Sequence, residues 1–353
     1  MQITSPARWG VLVYSSASPD IEPACRASFD EVTGARPSDG VTVAGWLGTA
    51  GGTRQVSKRG DVTASAVDMS RPETLERFLR WGMKAAPAER YVVVLGGHGS
   101  GFMGAVTDSG RQRVLAPQEM REALRHAGMH ADVLVLNACL EANVEVAAEL
   151  APRADVLVAS QGLQNGAGIP LGAAIERLRP DTAPLEAARI IVDASRAVPE
   201  RAPLLSAIDE GRVGAVVHGL DALGAALLAD EAGLAAARRC IATLPDFRER
   251  PQDRPLVDLK DIQAFARGLA TDARLAGTPL ASAAGALERA AGESVVAATS
   301  PTGEARGLSA YLAIAPLPFD RVQQQYDDLA LSTAAPHWHE AVERLAEPSR
   351  TRR

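Results

Sequence analysis

Two stretches, Tyr91–Gly101 (YVVVLGGHGSG) and Asp132–Leu140 (DVLVLNACL), decide how this chain folds. Each is a run of Val and Leu that gives way abruptly to small and polar residues. Such a run, without polar alternation, suits a strand buried on both faces. Asp155–Gly162 (DVLVASQG) repeats the design, and Gly10–Tyr14 and Val41–Leu47 add two further candidate strands. Helical patterns separate them. Ser70-Arg71-Pro72-Glu73 has capping-box spacing ahead of ETLERFLRWGMKAA, and Pro117 opens QEMREALRHAG, which stops at Gly128. Leu140–Leu150 reads as a helix that begins directly after Cys139. Strands alternating with helices predict an α/β fold, a mostly parallel sheet flanked by helices.

Working outward, Gly48–Ser65, Gly162–Gly172 and Pro245–Pro255 read as loops. From Leu205 onward the pattern is Ala-rich and helical. A late strand pair is expected at Ser294–Thr299 and Leu308–Ile314, turning through Pro301-Thr302-Gly303. The predicted organisation is an α/β domain over residues 1–204 and a mainly helical C-terminal domain over 205–353, with that strand pair near 294–314.

Bulk properties narrow the function classes. Hydrophobic residues at 46% against 23% charged predict an ordinary globular core rather than disorder. A net charge of −6, with no basic run, speaks against nucleic acid as a partner. No uncharged apolar stretch approaches the ~20 residues of a membrane span, so no membrane partner is expected. The opening MQITSPARWGVLVYSS lacks the basic and long apolar regions of a secretory signal and reads as a first strand. Cys25, Cys139 and Cys240 lie far apart without CxxC spacing, which excludes a thiolate zinc cage or disulfide framework. The expectation is a cytoplasmic protein in a reducing compartment.

In an open parallel sheet, ligands bind beyond the carboxyl ends of the strands. If the three polar strand ends are neighbours, His98, Cys139 and the loop after Ser160 converge there. Attack on a peptide carbonyl needs a nucleophile, a base, and donors for the developing oxyanion. Cys139 at a helix N-terminus would sit in the positive end of the macrodipole, which favours thiolate. His98 would be its base, and the backbone N–H groups of Gly99 and Cys139 the oxyanion donors. No aspartate stands in an obvious position to orient His98, so a dyad is expected. The same residues also read as a tight turn with a surface His and a core Cys, and residue pattern alone leaves both open.

The blocks taken together resemble the clostripain family of cysteine peptidases, a caspase-like clan. WGVLVYSSASPDIE is similar to the family's opening segment, DMSRPETLERFLRW with ERYVVVLGGHGSGF to its helix–strand–HGSGW block, and NACLEANVEVAAEL to its D-A-C-L-M block. LSAIDEGRV, VDLKDIQAFA and RGLSAYLAIAP follow in the family's order, so the resemblance runs from Trp9 to Pro316. It implies a caspase-like sheet, His98 and Cys139 as catalytic, Gly99 and Cys139 as oxyanion donors, and a protein substrate. No cofactor is needed for that chemistry, although some relatives use calcium; Asp253, Asp258 and Asp261 do not match a calcium-loop spacing. Relatives also self-cleave between the His and Cys strands, where this chain carries Arg111 and Arg113.

Three departures bear on specificity. The family places an Asp two residues before the nucleophile and often an acid pair at the next strand end; here stand Asn137 and Ser160-Gln161-Gly162. A buried guanidinium needs a paired carboxylate. With Asn137, Ser160 and Gln161 as candidates for the S1 pocket, an uncharged P1 residue is expected instead of Arg or Lys. Glu141 replaces the family's Met and is expected to face solvent. His337-Trp338-His339 reads as solvated surface, not a metal pair. The predicted activity is limited proteolysis of an intracellular protein, by fold-level analogy a pore-forming or other cell-death effector in antiviral defence. The alternatives are a catalytically silent peptide-binding scaffold and a thiol-dependent amidase or transferase.

Overall fold

Alternate residues of the central strands go to opposite faces of one sheet, each covered by helices. The computed structural model describes residues 7–107, 113–245, 247, 257–300, 303, 305–314 and 316–347. In chain order come β1 (Ala7–Ser16), α1 (Glu22–Thr33), β2 (Val41–Thr49), β3 (Gly52–Ser57), β4 (Gly60–Ala64), α2 (Pro72–Ala85) and β5 (Ala88–Gly96). Then follow β6 (Ala105–Thr107), β7 (Val114–Leu115), α3 (Pro117–Ala127), β8 (Ala131–Asn137), α4 (Val144–Leu150), β9 (Ala154–Ser160), α5 (Leu171–Arg177) and α6 (Pro184–Arg196). The C-terminal part holds β10 (Leu205–Asp209), α7 (Glu210–Leu228), α8 (Glu231–Ile241), β11 (Leu259–Asp261), α9 (Ile262–Ala270), α10 (Pro279–Ser294) and β12 (Val295–Ala298). It ends with β13 (Ser309–Tyr311), α11 (Pro316–Asp327), α12 (Ala330–Ala334) and α13 (Pro336–Ala346).

Among the described residues the main sheet has nine strands in the order β12-β10-β9-β8-β5-β1-β2-β3-β4. Its centre, β9-β8-β5-β1-β2, is parallel, as the five apolar runs predicted. Val11, Val13, Val92, Val94, Val133, Val135, Val156 and Val158 pack on the face covered by α1, α5 and α6. Leu12, Tyr14, Val93, Leu95, Leu134, Leu136 and Leu157 pack on the other, against α2, α3, α4 and α7. This two-sided burial is why the strands read as continuous apolar runs. Chain order reverses at β1, which lies between β2 and β5, and a crevice opens at such a switch point.

The C-terminal residues depart from the expected plan. Ser294–Thr299 and Leu308–Ile314 do not pair with each other. β12 runs antiparallel to β10 at the edge of the main sheet, whereas β13 pairs with β11 in a separate ribbon. Edge β10 offered an unfilled ladder, so a strand from far along the chain completed it in place of a local hairpin. Because β10 and β12 extend the same sheet, the division expected at residue 204 does not coincide with an end of the sheet. Pro301 and Thr302 of the expected turn, and most of the Pro245–Pro255 loop, lie outside the described residues. Helix α7 is long and apolar enough by length and composition to cross a membrane. Val213, Val216, Leu220, Leu223 and Leu227 instead bury one side of it in the core.

Buried carboxyls bind the C-terminal elements to α4. Glu149 pairs with Arg121 of α3 and accepts the Ala330 N–H at 2.8 Å, tying in α12. Glu145 accepts the Tyr311 N–H of β13 at 2.8 Å, and its complete burial pushes its carboxyl up to about 7 from the ordinary 4.5. Below the ordinary value, folded and unfolded chains are both protonated there. As pH rises toward the folded value, only the unfolded chain ionises, so the stability associated with this proton is lost. In urea unfolding, the stability of the wild type relative to Glu145→Gln should fall by up to ~3 kcal/mol between pH 4.5 and 7 and then level off.

Candidate active site

The site follows from one register. Gly96 at the end of β5 lies opposite Asn137 at the end of β8. His98 and Cys139 each come two residues further along, on parallel strands ~4.8 Å apart. Both line a cavity of about 400 Å³ at the carboxyl edge of the sheet. The His98 segment folds back on itself, with Val106 N–H donating to His98 O at 2.9 Å and Ser100 N–H to Gly104 O at 3.0 Å. Gly99, between those bonds, presses on the Cys139 segment: a Cβ there would stand 2.4 Å from Cys139 O. Only glycine allows so close an approach. The Gly99 N–H has no acceptor among the described residues, which leaves it available to a ligand.

A carboxylate does stand beside His98, contrary to expectation. Asp20, just past the end of β1, brings Oδ2 to 3.1 Å and Oδ1 to 3.3 Å from His98 Nε2. The Ser18 hydroxyl donates to Asp20 Oδ1 at 2.7 Å. That hydrogen bond, with a smaller pull from His98, lowers the Asp20 carboxyl to about 2, so it stays ionised well into acid. Sequence reading missed Asp20 because it lies 78 residues from His98. The available signal was its place beyond the carboxyl end of the strand that neighbours β5.

Cys139 does not open a helix. Helix α4 starts at Val144, with Asn143 as its cap accepting the Val146 N–H at 2.9 Å. Residues 138–143 instead form a turn in which Leu140 takes the left-handed φ of 68°. Leu140 N–H donates to Gly162 O at 3.1 Å and Ala142 N–H to Ser160 O at 2.9 Å, fastening the turn to the end of β9. The sulfur receives the Gln164 N–H at 3.3 Å, a main-chain donor that favours negative charge on it.

Of the three expected pocket residues, one lines the cavity. Asn137 does so, and its Oδ1 accepts the Ile169 N–H at 2.8 Å. Gly168, at φ +59°, packs directly on this amide. Arg201 braces the same wall, donating to the carbonyls of Ala167 at 2.8 Å, Gly168 at 2.9 Å and Ile169 at 3.3 Å, with Glu31 as its counter-ion at 2.8 Å. Ser160 and Gln161 are buried behind the cavity. Gln161 donates to Asp261 at 3.1 Å and Ser309 at 3.0 Å and accepts the Gly307 N–H at 2.6 Å, joining β9 to the C-terminal elements. Its uncharged side chain answers to that network and not to a substrate. From the α1 region Ile21, Cys25 and Ser28 also line the cavity, and Glu200, an exposed residue, supplies the carboxylate of the lining.

Glu141, expected at the surface, has no exposure at all. The left-handed turn at Leu140 swings it inward, beneath the His98 segment. Of the expected processing loop, Arg111 lies outside the described residues, and Arg113 pairs with Glu119 of α3.

Asp253 lies outside the described residues, and neither Asp258 nor Asp261 is arranged as an open calcium ligand. Asp261 Oδ1 accepts the Ala264 N–H, and Oδ2 the Gln161 and Arg306 donors; Asp258 stands 3.5 Å from Lys260 Nζ. His337-Trp338-His339 is not all solvated surface: Trp338 is fully buried, and His339 gathers with Asp327 and Glu343, although a histidine-bearing trio suits calcium poorly and lies outside the cavity lining.

The sequence model of the clostripain family matches residues 48–338. A comparison with curated proteins finds no match. Among solved structures, the chain is similar to a secreted C11 cysteine protease from Bacteroides thetaiotaomicron in complex with an irreversible peptide inhibitor. That similarity has a TM-score of 0.69 at 16% identity, over 93% of this chain and 98% of that one. An inactive zymogen C11 protease from Parabacteroides distasonis gives 0.71 at 17% identity, over 94% and 99%. At such identities the likeness speaks for the fold, and the expected caspase-like α/β architecture holds.

Gln161→Leu should cost ~2–3 kcal/mol of unfolding free energy, since it leaves the buried Gly307 N–H without an acceptor. It should change the alkylation rate of Cys139 by iodoacetamide by less than about twofold, because Gln161 does not face the cavity.

Proposed function

Because the chain belongs to the clostripain family and is a cysteine endopeptidase, we propose that Cys139 is its nucleophile, His98 its base and Asp20 the group that orients His98. The observation that carries this reading is the opposition of Gly96 and Asn137, which sets His98 and Cys139 side by side at one cavity. With Nε2 held by Asp20, Nδ1 of His98 is the nitrogen left to exchange a proton with the thiol. Cys139 passes its proton to His98, and its sulfur forms a bond to the scissile carbonyl carbon. The carbonyl oxygen becomes an oxyanion, held by the N–H groups of Gly99 and Cys139. His98 then protonates the leaving nitrogen, the C–N bond breaks and a thioester remains. Water, giving a proton to His98, hydrolyses the thioester and restores the thiol.

The P1 residue is uncharged in this reading. Ser15, Ser28 and Asn137 give the lining polarity without charge, and the exposed Glu200 is too well solvated to hold a buried guanidinium alone. Limited proteolysis of a protein inside the cell is supported by three free cysteines, which suit a reducing compartment.

A peptidyl acyloxymethylketone should label the wild type and not Cys139→Ala; wild-type protein that is neither labelled nor active on any peptide would make the chain a silent scaffold. Asp20→Asn should lower kcat by about tenfold to a hundredfold with little change in KM, because it disturbs the tautomer and aim of His98 rather than binding. A fluorogenic P1 library should show cleavage after uncharged residues. Clear selection for Arg or Lys would overturn the specificity assignment.

A further inference from the structure

Cys139 and His98 ride on two segments from different strands, and catalysis needs their separation fixed. At the base of the crevice the segments are joined by Gly97 N–H to Asn137 O at 3.4 Å, a long hydrogen bond. Nearer the tip, a side chain does the work. Oε1 of the fully buried Glu141 accepts the Gly101 N–H at 3.1 Å. The same oxygen lies where it would stand 2.6 Å from a Cβ on Gly99. One carboxyl oxygen, two residues from the nucleophile, is therefore bonded to Gly101 and packed against Gly99 in the segment that follows His98.

The chain accepts two costs to place it there. Leu140 holds a left-handed φ that non-glycine residues rarely adopt, with Asn143 Nδ2 donating to its carbonyl at 2.9 Å. The second oxygen of Glu141, Oε2, is buried without a hydrogen-bond partner among the described residues. A group kept for packing alone would be apolar, since an unpartnered buried oxygen destabilises the fold.

We propose that Glu141 is a positioning residue that clamps the Gly99–Gly101 segment onto the Cys139 turn, fixing His98 and the Gly99 N–H relative to the nucleophile. It acts through the backbone and touches no reacting atom. The proposal rests on the peptidase reading only for its catalytic consequence.

Glu141→Leu removes the acceptor without opening a cavity, and Glu141→Gln keeps an oxygen in the same place. In Glu141→Leu, kcat should fall by about tenfold to a hundredfold while KM stays within about threefold, as expected when reacting groups drift by a fraction of an ångström. Glu141→Gln should restore kcat to within about threefold of wild type. Hydrogen exchange of a peptide spanning residues 97–104 should accelerate in the Leu variant and not in the Gln variant. That readout is independent of activity, so it decides the clamp even if Cys139 proves inert and the peptidase reading fails. Unchanged kcat and unchanged exchange in a folded Glu141→Leu would overturn the proposal, as would a Gln variant as impaired as the Leu variant.

Discussion

Everything at the site depends on the hydrogen-bonded register between β5 and β8. Both strands are buried on two faces, so neither can slip by one residue without turning its Val and Leu side chains into the wrong layer. That apolar lock fixes Gly96 against Asn137, and the chain then has two residues on each strand in which to deliver an imidazole and a thiol. Chemistry is thus positioned by packing that lies entirely beneath it. The neighbouring β1 extends the same logic, because its paired Ser15 and Gly96 bring Asp20 within reach of His98.

What the sequence made legible was what burial and local turns dictate. The five apolar runs, the helices opening at Pro72 and Pro117, and the gathering of His98 and Cys139 all follow from patterns a few residues long. The misreadings share a cause. Asp20, Glu141 and Gln161 have partners 78, 40 and 148 residues away, and a polar side chain does not announce a distant partner. Glu141 next to a helix looks solvated until Leu140 reverses the chain direction. The expected pairing of Ser294–Thr299 with Leu308–Ile314 failed because a hairpin competes with any open edge in the molecule, and β10 supplied one.

Glu141, Glu145 and Glu149 form a row spaced by four along the nucleophile turn and α4. Each is fully buried and each accepts an N–H from a different segment: Gly101, Tyr311 and Ala330. Apolar residues there would pack at less desolvation cost but would accept many orientations of those segments. An acceptor specifies one. The row therefore trades stability for a single arrangement of the C-terminal ribbon, the terminal helices and the His98 segment around Cys139.

The bracing of the Ala167–Ile169 segment beside the cavity by Arg201 reaches beyond geometry. Loops that close over a substrate usually lose their freedom at the moment of binding, and that loss is subtracted from affinity. Here a guanidinium balanced by Glu31 holds the successive carbonyls of Ala167, Gly168 and Ile169. The entropy of ordering this segment has been surrendered once, during folding. Such a segment gains in selectivity what it gives up in accommodation, because a side chain of the wrong form finds nothing that will yield.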